Sequence, residues 1–247
     1  MNKRGVIMKI ALIGYGKMGK LLSSLCLQNG HEIVSIIDKN QPEYDINIDK
    51  ENLKGAQVAL EFTQPDGVID RIAALAKCGV NIVIGTSGWF DKIDQVQEIA
   101  QRNGVGIIFG ANFSIGMNLY FQTLDYLSKM MAQIPDYDLY AFEEHHNEKK
   151  DRPSGTAKYI TSIIKKNQKD ISDSFEFESI RAGRKPGTHL VGYDGEFDFL
   201  ELKHLARERS AFVSGAVKSI DWIYDKKGFY NFSEYFKEIF GIEEYKN

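Results

Sequence analysis

The patterned part of the chain opens with a strand that runs straight into a glycine-spaced turn, and that junction limits the fold more than any other feature. Lys9 to Ile13 (KIALI) is short, apolar and β-branched, and it stops at Gly14-Tyr15-Gly16-Lys17-Met18-Gly19. Lys17 to Asn29 then has helical spacing at Met18, Leu21, Leu22 and Leu25 and ends at Gly30. In such a turn the first glycine permits the tight bend and the second lets a pyrophosphate approach the backbone. The third allows helix and strand to pack closely. The helix start offers N–H groups and a positive dipole end to phosphates. The spacing alone also describes a structural turn. Here, however, a second strand, Glu32 to Ile37, ends in Asp38, close to the ~20-residue spacing at which an acid accepts from the ribose hydroxyls. The pattern therefore predicts dinucleotide binding by Gly14, Tyr15, Gly16, Lys17, Met18, Gly19 and Asp38. A carboxylate at 38 repels a 2′-phosphate and favours NAD, while the ammonium of Lys39 could partly neutralise that phosphate. The expectation is NADH, with tolerance of NADPH.

Ala56 to Glu61, Asn81 to Ile84 and Gly106 to Phe109 read as further strands, and Gly67 to Lys77 and Lys92 to Asn103 as helices between them. This alternation indicates a parallel α/β sheet. Two loops leave its carboxyl edge, Gly85-Thr86-Ser87-Gly88 and Gly110-Ala111-Asn112-Phe113. Their small polar residues suit either a nicotinamide carboxamide or plain turn chemistry.

The pattern then changes. Asn118 to Ala132 and Ser154 to Lys166 read as helices, Leu139 to Glu143 as a strand, and Phe175 to Leu205 as a strand-rich meander with glycines 183, 187, 192 and 195 at its turns. Such a meander suits an antiparallel sheet with one face covered. Gly215 to Tyr224 and Asn231 to Phe240 return to helical spacing. The fold class is α/β: a Rossmann-type dinucleotide-binding domain (1–113 with 212–247) and an inserted α+β substrate and oligomerisation domain (114–211) with an open mixed sheet.

Composition narrows the partners. A net charge of -3 gives no general reason to expect nucleic acid. No window approaches the ~18 apolar residues of a membrane span. Lys3 and Arg4 before an apolar stretch resemble a secretory leader, but that stretch runs into the glycine turn without a small-residue cleavage site. A cytoplasmic location is expected, with Cys26 and Cys78 as buried, reduced thiols.

The chemistry concentrates at Glu143 to Ala157, EEHHNEKKDRPSGTA. His145 and His146 close a strand and point to opposite sides. Lys149 follows, and Asp151 or Ser154 caps the next helix with Pro153 in its first turn. Backbone N–H groups at Gly155 and Thr156, with the threonine hydroxyl, make a carboxylate-binding nest. One short segment thus holds an imidazole that titrates near neutral pH, an ammonium and an anion cradle. Adjacent histidines on a strand diverge, so no metal is expected. His31, His189 and His204 read as structural or surface residues, and Glu176, Glu178, Lys226 and Lys227 as solvated faces.

With these residues in view, the chain resembles the 4-hydroxy-tetrahydrodipicolinate reductase family of diaminopimelate and lysine biosynthesis. GYGKMG, GTSG (85–88), ANFSIGMN (111–118), the 143–157 segment, IRAG, GTH and ARERSAFVSGA carry the resemblance along nearly the whole chain. It implies an oxidoreductase with His145 as acid/base and Lys149 as second catalytic group. His146, Gly155 and Thr156 would hold a small dicarboxylate substrate. NADH or NADPH would lie on Gly14 to Gly19, Asp38, Lys39, Gly85, Thr86, Ser87, Gly110, Ala111, Asn112 and Phe113. It also implies a homotetramer joined through the inserted sheet. Arg152 departs from the family's alanine, Ser87 from its second threonine, and the glycine loop is one residue shorter than the commonest form. A dehydrogenase acting on another amino or diamino acid, and a silent nucleotide-binding sensor, are the alternatives; the sensor has no need of His145, Lys149 and Thr156 together.

Overall fold

The structure is a computed structural model that describes residues 6–169, 171 and 175–241. Lys3 and Arg4, on which the leader-like reading rests, lie outside the described residues. By its contacts the chain divides into two compact units, Met1–Ser114 with Phe212–Asn247, and Ile115–Ala211.

The first unit alternates strand and helix: β1 (Lys9–Ile13), α1 (Lys17–Gln28), β2 (Glu32–Ile37), β3 (Val58–Glu61), α2 (Val68–Lys77), β4 (Asn81–Ile84), α3 (Ile93–Asn103) and β5 (Gly106–Phe109). All their pairings are parallel. β3 and β5 have no exposed residue, as strands covered on both faces require. Ile13, Ala59, Ile72, Ile82, Val96 and Ile107 belong to one apolar cluster. The chain passes from β1 outward to β2 and then back across to β3, so the strand order reverses between β1 and β3. In this architecture that reversal opens a crevice at the carboxyl ends of the strands.

The second unit comprises α4 (Ile115–Met131), β6 (Asp138–His145), α5 (Gly155–Asn167), β7 (Glu178–Arg181), β8 (Gly187–Asp194) and β9 (Phe199–Ala206). Its sheet has the order β7-β6-β8-β9. The antiparallel expectation holds for β6–β8 and β8–β9, but β7 runs parallel to β6. Leu124, Ile160, Val191 and Tyr193 belong to the core on the helix-bearing face. Two of the expected turn glycines are strand residues instead. At Gly192 a Cβ would lie 2.2 Å from the Tyr140 ring, and at Gly187 2.9 Å from Nε2 of His145. Both are glycine because a neighbouring ring occupies the side-chain position.

The first unit is completed by α6 (Ser214–Tyr224), β10 (Gly228–Asn231) and α7 (Phe232–Phe240). β10 is absent from the sequence reading, because GFYN is too short to show alternation. It becomes a strand by pairing in parallel with β5, Gly228 opposite Gly106. Asn231 then caps α7 in a capping box with Glu234. Lys226 is not a solvated charge as expected: it pairs with Glu238 at 2.9 Å and lies 4.3 Å from the Trp222 ring centroid. Cys26 is buried and Cys78 half-buried, both free, and burial pushes the Cys26 thiol up to about 12.

At the end of β3, Glu61 has no exposed surface. Arg71 on α2 meets it at 3.0 Å and also donates to the carbonyls of Gln64 (2.6 Å) and Asp66 (2.7 Å). One guanidinium thus clamps the loop beside the crevice. Arg71→Ala leaves a buried carboxylate unpaired and is expected to cost about 3–5 kcal/mol, read from urea unfolding; a loss below about 1 kcal/mol would mean the pair carries only surface-type weight.

Candidate active site

Strand register assembles this site. On β6 the side chains of Glu143 and His145, two residues apart, share the face that carries the helices. Glu143 lies opposite Ser179 of β7 and His189 of β8, and His145 lies opposite Arg181 of β7. Three strands distant in sequence thereby deliver a carboxylate, a guanidinium and two imidazoles to one buried row. Glu143, His145 and His189 are 0%, 6% and 4% exposed.

Each group has assigned work. Oε1 of Glu143 accepts from the Ser154 N–H (2.9 Å), the Ser179 hydroxyl (2.7 Å) and Arg181 (2.6 Å). Oε2 lies 3.5 Å from both Nδ1 of His145 and Nε2 of His189. Burial alone would raise the carboxyl of Glu143, yet His189, Ser154, Arg181 and Ser179 together hold it well below the usual carboxylate range. His145 moves the other way. Burial, then the neighbouring His189, Lys149 and Arg181, lower it from 6.5 to about 4 against the pull of Glu143. The expectation of an imidazole titrating near neutral pH is thus corrected: in the unliganded chain His145 is neutral there. Glu143, His145 and His189 offer donor atoms within 4.8 Å of one another, a metal-like spacing. The buried guanidinium of Arg181 already supplies the positive charge such an ion would bring.

Ser154, not Asp151, caps α5: its hydroxyl accepts from the Ala157 N–H at 3.1 Å. Pro153 precedes the cap rather than entering the first turn. Asp151 instead pairs with Lys149 at 2.8 Å and receives the Gly155 N–H, and both lower its carboxyl. A Cβ at Gly155 would meet nothing within 4 Å, so the start of α5 is open beside Thr156. His146 is half-buried, its N–H bonded to the Lys185 carbonyl at 2.9 Å, and Arg152 faces solvent.

The sequence reading missed Arg181 and Ser179, and it took His189 for a structural or surface singleton. IRAG and GTH drew notice only through the resemblance, since nothing local shows that they meet Glu143. The other histidines fit their reading better. His31 is buried and takes the Met8 N–H at 3.4 Å, and His204 is half-buried against Tyr120.

In the first unit, parallel pairing brings the ends of β1 to β5 to one edge. Gly14 has φ +88°, and a Cβ there would lie 2.5 Å from the Phe62 carbonyl oxygen. A Cβ at Gly19 would lie 2.2 Å from the Gly14 oxygen, whereas one at Gly16 meets nothing within 4 Å. Gly16 precedes α1 without a side-chain cap, so turn and helix start together form an exposed anion cradle, with Lys17 exposed and Met18 half-buried beside it. Asp38 accepts from the Tyr15 N–H (2.6 Å), the Asn40 N–H (2.8 Å) and Gln41 (3.1 Å), which leaves about one of a carboxylate's four acceptor positions. Lys39 is exposed. Thr86 has a structural task, its hydroxyl accepting the Thr63 N–H at 2.8 Å, while Ser87 is exposed. At the β5 loop, Gly110 donates to Ile84, Ala111 is exposed and Asn112 accepts from Ser114 at 2.8 Å. The ring of Phe113 packs on Phe62 and Phe232, so only its backbone can meet a ligand.

A pH dependence follows. The unfolded chain binds a proton at His145 below about 6.5, whereas the folded chain resists it to about 4, so stability falls as pH drops through that window. Glu143 adds stability above its ordinary range that is lost only further down. His145→Gln is expected to flatten the slope of unfolding free energy between these values; an unchanged slope would show that the ring is not shielded from protonation.

Comparison with known proteins agrees along nearly the whole chain. Residues 8–113 match the family described as dihydrodipicolinate reductase, N-terminus, and residues 116–236 its C-terminus. A 4-hydroxy-tetrahydrodipicolinate reductase of Christiangramia forsetii is 33% identical over 243 residues, covering 94% of this chain and 99% of its own. One of Thermosipho africanus is 34% identical over 235 residues, covering 94% and 100%. A dipicolinate-bound dihydrodipicolinate reductase from Paenisporosarcina sp. TG-14 has the same fold, with a TM-score of 0.77 at 24% identity over 93% of this chain and 99% of its own. The chain belongs to the dihydrodipicolinate reductase family.

Proposed function

We propose that the chain reduces 4-hydroxy-tetrahydrodipicolinate to tetrahydrodipicolinate in the diaminopimelate route to lysine, as a cytoplasmic enzyme. The observation that carries this reading is the Glu143–Thr156 assembly, which sets a neutral imidazole, an ammonium and an open helix start close together in one segment. NADH or NADPH, bound through Gly14 to Gly19 and Asp38, supplies the hydride, and the loops at Gly85 to Ser87 and Gly110 to Phe113 complete its site. The substrate loses its 4-hydroxyl together with one C3 proton as water, gains hydride at C4 and takes a proton back at C3.

His145 supplies that proton, with Lys149 as the second catalytic group. A dicarboxylate brings negative charge to a ring held near 4 in its absence, which draws the ring toward its charged, proton-donating form. Gly187 itself places no side chain against the Nε2 edge. The Thr156 hydroxyl and the start of α5 anchor a substrate carboxylate with His146 beside them, and Lys149, now held by Asp151, exchanges that partner for the substrate. Asp38 favours NADH, because its remaining acceptor position suits a ribose hydroxyl and its charge repels a 2′-phosphate.

The reading includes a homotetramer. The sheet face away from the helices exposes Ile180 (47%), Phe199 (66%) and Leu205 (50%), an apolar patch of the kind that marks an interface. Light scattering is expected to give four times the chain mass of 28.0 kDa, and Phe199→Glu with Leu205→Glu to lower it. A wild-type monomer would refute the assembly.

Activity is tested by condensing pyruvate with aspartate semialdehyde enzymatically and following cofactor oxidation. NADH is expected to be consumed faster than NADPH. His145→Ala and Lys149→Ala are each expected to lower turnover by about 10²–10⁴-fold. Absence of oxidation by the wild-type chain would overturn the function, and near-normal variants would remove these two residues from their roles.

A further inference from the structure

A carboxylate with no exposed surface costs several kcal/mol unless paired and hydrogen-bonded, so a fully buried glutamate needs a physical reason. The two oxygens of Glu143 are unequal. Oε1 collects three donors, from Ser154, Ser179 and Arg181, and these suffice to stabilise the charge. Among the described residues Oε2 has no hydrogen-bond partner and it has no exposed surface, and the same holds for Nδ1 of His145, 3.5 Å away. The two unsatisfied atoms therefore face one another.

We propose that Glu143 is a positioning residue for His145: its Oε2 accepts from Nδ1–H, keeps the neutral ring's proton on Nδ1 and balances the imidazolium when Nε2 carries the proton to be transferred. The proposal rests on the reading of His145 as the proton-handling group. A carboxylate on one imidazole nitrogen fixes which nitrogen faces the chemistry, and such contacts are commonly long before substrate binds. The groups that act electrically on His145 are Glu143 on its own strand, Arg181 on β7, His189 on β8 and Lys149 in the following loop. Glu143 alone among them is an anion, so among these groups the compensation of the charged ring falls to it, beside what a bound dicarboxylate brings. His189, whose Nε2 is also 3.5 Å from Oε2 and 3.3 Å from the Ser154 hydroxyl, lies beside His145 with its ring centroid 5.1 Å away.

Glu143→Gln is a sharp probe because Oε1 is surrounded by donors. The glutamine must keep its oxygen there, which turns its NH₂ toward His145. The variant removes the charge and also imposes the opposite tautomer, with the proton on Nε2. The experiment joins two readouts, ring ¹⁵N NMR of the histidine-labelled chain at neutral pH and the pH profile of kcat, which reports groups in the substrate complex. Nδ1–H is expected in the wild type and Nε2–H in Glu143→Gln. The limb on which kcat falls with rising pH is expected to move down by a pH unit or more, about tenfold in rate at neutral pH for each unit, with KM for NADH unchanged. A buried residue of merely structural importance would not shift that limb.

Nε2–H in the wild type, or an unshifted limb in the variant, overturns the proposal. His145→Gln separates the two failures. If it is inactive while the limb in Glu143→Gln stays in place, positioning fails alone; if it is active, the reading of His145 fails and the proposal with it. Should Glu143→Gln not fold, the wild-type tautomer decides by itself.

Discussion

Burying Glu143 beneath the start of α5 ties together elements that share no local sequence. One carboxylate oxygen accepts from the backbone of Ser154 at the helix cap, from Ser179 on the parallel edge strand and from Arg181 two residues further on. The helix start, β6 and β7 are thereby held in one arrangement, and the price of desolvating the charge on β6 is met by donors from the other two. The same carboxylate presents its other oxygen to two imidazoles, so the interaction that orders this part of the fold also sets the electrostatics of His145.

The first unit solves a different problem by a different means. The nucleotide site proposed there has to hold phosphates with no help from the overall charge of -3. Backbone does the work instead. Gly14 takes a positive φ and lies close to the β3 loop, Gly19 abuts Gly14, and Gly16 is left open before an uncapped helix. Asp38 is bound as much to this turn as to any ligand, since Tyr15 donates to it. On the far side, Arg71 and Glu61 stiffen the neighbouring loop.

Most secondary structure was legible because its periodicities are strong. The five leading strands, the three helices among them, and α4 and α5 are found in the sequence to within about three residues, a normal spread for element ends. Three errors share one cause, that a pairing partner distant in sequence decides the outcome. β10 is four residues long and exists through β5; β7 runs parallel where a meander suggests antiparallel; Gly187 and Gly192 are strand residues whose missing side chains make room for rings from β6. At the site, the 143–157 segment was legible as a whole, yet its cap, the partner of Lys149 and the protonation of His145 were not. Those depend on which atoms lie within hydrogen-bond range and how much water is excluded, and spacing along the chain reports neither.

What the sequence determined by itself was the order of the elements other than β10, the glycine turn with its acid at Asp38, and the segment where imidazole, ammonium and helix start coincide. Local propensity and short-range spacing suffice for all of these. Only the tertiary structure decided that His189, Arg181 and Ser179 gather on Glu143 and that His145 is neutral near pH 7. Register between strands some 35 to 45 residues apart places those groups, and burial within that row sets their charge.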